Sequence, residues 1–401
     1  MVLNQQPSQH TSSRPKRVII LGSTGSIGRN CVEIIVQHHK QFKCVALSAG
    51  SNATLLAKQA QQLQPEIVTI ADQSQKPILE NALKNTNIKI NAGFDAYLHA
   101  IEHDPDLAVS AIVGIAGLIP TWVALKKSIP VAIANKESLV VAGQTLNMLA
   151  QKNNVNLIPI DSEHSALFQL LEKKHIQDLT RLTITASGGP LRNATRQQMQ
   201  SISSEQALKH PVWDMGPKNS IDSATMMNKG LEVIEASHLF NIDTRKIDVL
   251  IHPQSIVHAL VAYQDGSQLA QLCMPDMRIA ISYALNWGRG RLKNNAPSLD
   301  LAQISKLEFY YPDTERFPAL KLAYQAFQQG QHACCVLNSA NEVAVEAFLK
   351  KRITFLQITD AIKRMLDEFS DVKNYSTDCW QPIFQLDQDV RNRLKKYLDI
   401  A

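Results

Sequence analysis

Apolar residues are spaced along this chain in two rhythms. From Arg17 to about residue 160, short apolar runs alternate with stretches whose apolar positions recur every three or four residues. Arg17-Val-Ile-Ile-Leu-Gly22 reads as a short buried strand, followed by a helix with Val32, Ile35 and Val36 on its inner face. Residues 44–47, 67–70, 107–113, 131–134 and 157–160 repeat the strand signal. Strands separated by helices predict a parallel, doubly wound sheet. Residues 182–187, 247–252 and 256–263 read as further strands, with 267–273 as the return arm of a hairpin through Gln264-Asp-Gly-Ser267. These predict a smaller open sheet that offers a dimer face.

Between these strands lies the stretch from Asp214 to Ala236. Its first half is polar and reads as a loop, and its second half reads as a helix from about Ala224, with Met227, Leu231 and Ile234 at helical spacing. Ser223 stands where an N-cap would stand. Residues 291–315 are irregular and read as a linker. From 316 onward the apolar spacing is helical (Leu320, Ala323, Tyr324, Phe327; then Val343, Val345, Phe348, Leu349), which predicts a small helical bundle in a supporting role. The expected organisation is a tail over 1–16, a doubly wound α/β domain over 17–160, a second domain with the open sheet over 161–290, the linker, and the helical domain over 316–401.

Composition narrows the function. A chain of 401 residues with 45% hydrophobic content buries a sizeable core. Its formal charge of +5 comes from 41 basic and 36 acidic residues with no Lys/Arg block, which speaks against nucleic acid and suits anionic small molecules. Six scattered cysteines without a CxxC pair read as reduced, mostly buried thiols. The first sixteen residues are polar and lack the apolar segment of a signal peptide, and no run approaches a membrane span. These features point to the cytoplasm.

Candidate chemistry gathers where strands give way to polar turns. Gly22-Ser-Thr-Gly25-Ser-Ile-Gly28 sits between a strand and a helix, the setting in which a dinucleotide diphosphate meets free N–H groups; a plain tight turn is the bland alternative. The second strand ends in Ser48-Ala-Gly-Ser-Asn52, without the carboxylate that binds ribose hydroxyls in NAD-preferring folds, which favours NADPH. Asn135-Lys136-Glu137 lies just past another strand end. If the chain is still extended at Asp161, its carboxylate and that of Glu163 point to one side, as an oxygen pair for Mg²⁺ or Mn²⁺; a helix N-terminus, where acidic residues are favoured anyway, is the alternative. His164 reads as a structural or proton-transfer group. Ser187-Gly-Gly-Pro190 exposes N–H groups and a hydroxyl, and Trp213, in a Gly/Pro-bounded loop, reads as a lid or a core anchor. Asn228, Lys229 and Glu232 share one side of the predicted helix.

In this order and spacing, Gly-Ser-Thr-Gly-Ser-Ile-Gly, Ala-Asn-Lys-Glu-Ser, Asp-Ser-Glu-His, Ala-Ser-Gly-Gly-Pro, His-Pro-x-Trp-x-Met-Gly, Asp-Ser-Ala-Thr-Met-Met-Asn-Lys-Gly-Leu-Glu and His-Pro-Gln-Ser resemble the 1-deoxy-D-xylulose 5-phosphate reductoisomerases, from Arg17 to the C-terminus. The resemblance implies an α/β fold: a Rossmann-like NADPH-binding domain, an α/β catalytic and dimerisation domain, and a C-terminal helical bundle. It implies a homodimer that turns a phosphorylated ketose into 2-C-methyl-D-erythritol 4-phosphate. By the same matching, Asp161, Glu163 and Glu232 hold Mn²⁺, Mg²⁺ or Co²⁺. Ser187, Ser223, Asn228 and Lys229 grip the substrate phosphate with His210 nearby, and Lys136, Ser162, Glu163 and Glu232 face the ketose hydroxyls. Thr24, Gly25, Ser26, Ile27, Gly50, Ser51, Asn52, Asn135, Glu137 and Gly216 contact NADPH, and Trp213 belongs to a flap over the substrate. Lys136 is the first candidate for charge stabilisation or proton transfer, joined by Glu163, His210 and Glu232, with His164 and His258 weaker. Ser51 stands where some relatives carry a basic residue, so NADPH preference rests on hydroxyl and amide contacts, with Lys58 near. Two rivals are a semialdehyde or acyl-phosphate reductase, which needs a nucleophilic cysteine, and a non-catalytic NADP-binding sensor, which has no need of three separated carboxylates.

Overall fold

The computed structural model describes residues 14–172, 176–372 and 379–400. Of the expected tail, residues 1–13 lie outside the described residues, and Lys16 already opens the first strand. The chain divides into two compact units that are not contiguous in sequence. One comprises Met1–Asn135, Leu146–Ser165 and Asp276–Pro297; the other comprises Lys136–Thr145, Ala166–Pro275 and Ser298–Ala401.

The first unit is built on seven parallel strands: β1 (Lys16–Leu21), β2 (Phe42–Ala49), β3 (Ile67–Ile70), β4 (Lys89–Ala92), β5 (Leu107–Ser110), β6 (Val131–Ile133) and β7 (Leu157–Pro159). Their order, β4-β3-β2-β1-β5-β6-β7, reverses direction between β1 and β5, and the carboxyl ends of strands at such a reversal form the crevice in which doubly wound sheets bind ligands. The buried strands are the uninterrupted apolar runs, because helices cover both faces of a parallel sheet. β4 is the strand that the hydrophobic pattern misses. It lies at the edge, is half-exposed, and reads Lys-Ile-Asn-Ala.

A later segment returns to this unit. The helix Met277–Leu285 packs on the helix Ser26–Gln37, where Arg278 Nη1 meets Glu33 Oε1 at 3.2 Å. Lys16 Nζ donates to the Leu285 carbonyl at 2.8 Å, a cation at a helix C-terminus. No linear reading of periodicity reveals that return.

The second unit holds β8 (Leu179–Ala186), β9 (Ile247–Ile251), β10 (Val257–Tyr263) and β11 (Gln268–Leu272), in the order β11-β10-β8-β9. β10 and β11 form the expected antiparallel hairpin, turning at Gly266 with φ +83°. β8 and β9 are parallel, and Tyr310, within the expected linker, adds a bridge to Ile251 at the β9 edge. Helices Ala319–Gln329, Gln331–Leu349, Phe355–Glu368 and Gln381–Tyr397 belong to the same unit and bury apolar stripes against one another. Among the described residues, no helix is long and apolar enough to cross a membrane.

The glycine turn after β1 is a steric requirement. Gly22 adopts φ +93°, and a Cβ there would lie 2.6 Å from the Ala111 carbonyl oxygen; a Cβ on Gly28 would lie 2.3 Å from the Gly22 oxygen. Gly28→Ala must therefore push a helix off the turn, at a cost of about 1–3 kcal/mol. Equilibrium denaturation should show that loss, whereas an unchanged midpoint would show a turn that yields freely.

Candidate active site

The structure places the expected cofactor residues of the first unit just past the carboxyl ends of β1, β2 and β6. Gly22 and Ser23 both donate to the Ser48 carbonyl (2.9 and 2.8 Å), which ties the β1 turn to the end of β2. Gly25 is the N-cap of the helix Ser26–Gln37 and supplies no side-chain cap, so the first helical N–H groups keep their outward aim beside exposed Gly25 and Ser26 and half-buried Thr24 and Ile27. Gly50, Ser51 and Asn52 are exposed at the end of β2. The Asn52 side-chain oxygen Oδ1 accepts from Leu55 N–H at 3.0 Å as cap of the helix Ala53–Leu63, and Lys58 on that helix is exposed. Asn135, past β6, is buried, and its amide donates to the Ile112 carbonyl and, at 2.9 Å, to that of Gly114. Its side chain is thus committed to shaping the β5 turn.

After β7 the chain does not stay extended. Ser165 N–H donates to the Asp161 carbonyl at 2.8 Å, and the helix Ser162–Leu171 starts at once. The extended arrangement of Asp161 and Glu163 is therefore corrected to the helix-start alternative, which suits carboxylates because the first-turn N–H groups attract negative charge. Asp161 Oδ1 lies 3.1 Å from Nδ1 of buried His164, and the Ser162 hydroxyl donates to Glu163 Oε2 at 2.5 Å.

In the second unit the polar half of the 214–236 stretch is also helical, another departure from expectation. Helix Pro217–Thr225 is followed by helix Met227–Phe240, with Met226 between them at φ 66°, ψ 7°. Ser223 is thus in the last turn of the first helix and caps nothing; its carbonyl accepts from Met226 N–H at 3.2 Å. Left-handed backbone at a residue with a Cβ costs roughly 1–3 kcal/mol, so surrounding contacts must hold it. The missed signal was Pro217 just after Gly216, since proline is favoured at a first helical position.

The three residues expected on one helix side do meet. Glu232 is 1% exposed. Its Oε1 accepts from the Asn228 amide and, at 3.0 Å, from Lys136 Nζ, while its Oε2 accepts from Lys229 Nζ. Lys136 also donates to Asn228 Oδ1 at 2.9 Å. A lone carboxylate this buried would cost several kcal/mol; two ammonium groups and an amide offset that. The neighbouring Glu137, expected at the cofactor, has its carboxylate 2.5 Å from Lys218 Nζ. Lys218 is a residue that sequence reasoning missed, because a Lys in a polar stretch looks solvated.

A second cluster forms around Ser187. Gly189, at φ +69°, brings this turn against the end of the Pro217–Thr225 helix: a Cβ there would lie 2.6 Å from the Ser223 oxygen. His210 Nδ1 accepts from the N–H groups of Val212 (3.2 Å) and Trp213 (2.8 Å), so the neutral ring carries its proton on Nε2 and donates to Ser187 Oγ at 2.9 Å. Gly189 N–H donates to the same Oγ at 3.1 Å. With both acceptor positions used, the Ser187 hydroxyl hydrogen is free to be donated to an anion. Trp213 meets the buried His258 ring edge-on at 6.3 Å.

Sequence models of this family's domains match nearly the whole chain: 1-deoxy-D-xylulose 5-phosphate reductoisomerase over residues 18–143, its C-terminal domain over 157–240, and the DXP reductoisomerase C-terminal domain over 272–393. The reductoisomerase of Thermoanaerobacter pseudethanolicus is 44% identical over 384 residues, 96% of this chain and 100% of its own. The chain belongs to the 1-deoxy-D-xylulose 5-phosphate reductoisomerase family. The enzyme of Rhodospirillum centenum is 47% identical over 367 residues, covering 91% of each chain. Among solved structures, the Zymomonas mobilis reductoisomerase in complex with NADPH matches at TM-score 0.89 and 40% identity, over 97% of this chain and 100% of its own. A reductoisomerase in complex with NADPH, fosmidomycin and magnesium matches at 0.90 and 37%, over 96% and 98%. The family and the α/β fold expected from the motifs are thereby established, and so is the enzyme class.

Three of the six cysteines speak against the reductase rival. Burial pushes the thiols of Cys31, Cys44 and Cys334 up, opposite to what a nucleophile needs.

Burial also pushes the His210 ring down to about 4. Since this lies below the ordinary 6.5, the unfolded chain takes up the proton first as pH falls. The ring's contribution is intact above about pH 6.5 and is lost progressively toward pH 4. Histidine NMR should place its midpoint near 4, with stability falling through that window; a midpoint near 6.5 would contradict the desolvation of the ring.

Proposed function

We propose that this enzyme converts 1-deoxy-D-xylulose 5-phosphate into 2-C-methyl-D-erythritol 4-phosphate, by rearrangement and NADPH-dependent reduction with a divalent metal ion, in isoprenoid precursor synthesis. Membership of one reductoisomerase family along nearly the whole chain carries this reading, beside close structural matches solved with NADPH and magnesium. The semialdehyde reductase and sensor readings have no observation in their favour.

The residues fit the groups they are proposed to hold. Thr24, Gly25, Ser26 and Ile27 take the cofactor diphosphate, since a glycine N-cap leaves helical N–H groups to an anion. Gly50, Ser51, Asn52, Asn135, Glu137 and Gly216 complete that site. Asn135 and Glu137 act largely by shape, because their side chains are held by the β5 turn and by Lys218. Asp161, Glu163 and Glu232 are all-oxygen donors of the kind that Mg²⁺, Mn²⁺ or Co²⁺ accepts. When bound, the metal supplies Lewis acidity at the ketose oxygens and NADPH supplies the hydride.

The chain's own groups orient the substrate. Ser187, Ser223, Asn228 and Lys229 hold the phosphate, a grip remote from the reacting carbons that keeps them in register. Lys136 and Ser162 face the ketose hydroxyls with Glu163 and Glu232. Lys136 lies in direct contact with Glu232 and is placed to stabilise negative charge or pass a proton. His210 keeps the Ser187 hydroxyl aimed as a donor, and Trp213 covers the substrate. Most of the labour follows the sequence: residues 17–160 mainly for cofactor, with Lys136 turned to the substrate; 161–290 mainly for metal and substrate, with Gly216 at the cofactor; 291–315 as linker and 316–401 as support. The enzyme acts in the cytoplasm as a homodimer, formed through the open β11 edge, where Leu269 is exposed.

Purified protein with 1-deoxy-D-xylulose 5-phosphate, NADPH and Mn²⁺ should oxidise NADPH, and a chelator should stop it. Turnover that survives full chelation would remove the metal from the mechanism. Glu232→Gln should reduce turnover by at least about a thousandfold while NADPH still binds, as expected where a transition-state charge contact is lost. Near-normal turnover would take Glu232 out of the site.

A further inference from the structure

The proposed phosphate residues come from both sides of the break at Met226, Ser223 before it and Asn228 and Lys229 after it. Their convergence depends on how the Pro217–Thr225 helix is set, and that helix has little apolar surface to dock with. Ile221 is its one large apolar residue in the core; the other buried positions are Ser220, Asp222, Ala224 and Thr225.

Charge takes over the docking. Asp222 and Asn341 are both 0% exposed, and Asn341 Nδ2 donates to Asp222 Oδ1 at 2.8 Å. Lys218 Nζ lies 2.9 Å from Asp222 Oδ2 and 2.5 Å from Glu137 Oε1. The Lys218–Asp222 contact is ionic and poorly aligned for a hydrogen bond, so Oδ2 has no well-directed donor and relies on this one ammonium. Three helices are thereby joined through a single chain of side chains: Glu137 on the segment that carries Lys136, Lys218 and Asp222 on the helix ending near Ser223, and Asn341 on the helix Gln331–Leu349. Turning the middle helix by one residue, about 100°, would strip a buried carboxylate of both partners.

We propose that Lys218 and Asp222 are positioning residues for the phosphate site: the chain Glu137–Lys218–Asp222–Asn341 sets the rotation of the helix so that Ser223 converges with Asn228 and Lys229 on one anion. The inference rests on the phosphate role given to those three residues above. Neither Lys218 nor Asp222 touches substrate in this scheme.

Two full-length variants test it with metal and NADPH present: Asp222→Asn, which removes the carboxylate, and the exchange Asp222→Asn with Asn341→Asp, which restores one carboxylate facing one amide. The measurements are KM for 1-deoxy-D-xylulose 5-phosphate, KM for NADPH, competitive inhibition by inorganic phosphate, and melting temperature. Asp222→Asn should raise the substrate KM and the phosphate inhibition constant together by about tenfold, leave the NADPH KM within about twofold, and be largely rescued by the exchange. If the single variant does not fold, the exchange variant decides: wild-type constants support the proposal, and a tenfold loss with normal melting overturns it. A folded Asp222→Asn with unchanged phosphate constants also overturns it, as does an equal loss in every constant. A wild-type enzyme that does not turn over the substrate at all would instead refute the assigned reaction.

Discussion

The second unit depends on one buried carboxylate. Glu232 is almost fully withdrawn from water, and such a charge is tolerated only where partners replace the lost hydration. Lys136, Lys229 and Asn228 do so, and each answers a different geometric need. Lys229 and Asn228 come from the same helix at three- and four-residue spacing, so they cost no long-range order. Lys136 comes from far earlier in the chain and fixes its own segment against that helix. Where Lys136 is fixed, Glu137 is fixed with it, and through Lys218 the preceding helix as well.

The first unit meets the same problem of charge with backbone. Its glycine turn has room for nothing larger at Gly22 and Gly28, and that closeness aims helical N–H groups past the end of β1. A diphosphate there needs no lysine, because amides at a helix start already carry partial positive charge. A side-chain site needs several segments to converge, while a backbone site is complete within a dozen residues. This is why the glycine turn was readable as a local motif and the reach of Lys136 to Glu232 was not.

The same distinction explains what the amino-acid pattern disclosed. Buried parallel strands stood out because both faces are apolar, while β4 was hidden by its half-exposed edge. Asn228, Lys229 and Glu232 were legible as one helix face because their contacts lie within one turn. The Pro217–Thr225 helix was not, because its polar residues resemble a loop until Asp222 is seen buried against Asn341 and Lys218 paired with Glu137. Asp161 and Glu163 fell to a simpler ambiguity: an acidic pair after a strand reads as extended or as a helix start, and the Ser165–Asp161 hydrogen bond selects the helix.

The proposed flap over the substrate inherits its limits from these anchors. Its start is tied by His210, which takes two N–H groups of the loop on one ring nitrogen and gives its proton to Ser187 from the other. Its end runs into Pro217 and the half-buried Lys218, whose ammonium pairs with the Asp222 and Glu137 carboxylates and would leave Glu137 without that partner if it moved away. These two anchors bracket the residues around Trp213 on either side. Because Ser187 is itself a proposed phosphate ligand, an anion that orders its hydroxyl also steadies His210 and the backbone leading to Trp213. In the proposed scheme, one imidazole thereby connects the phosphate ligand Ser187 to the backbone leading to Trp213.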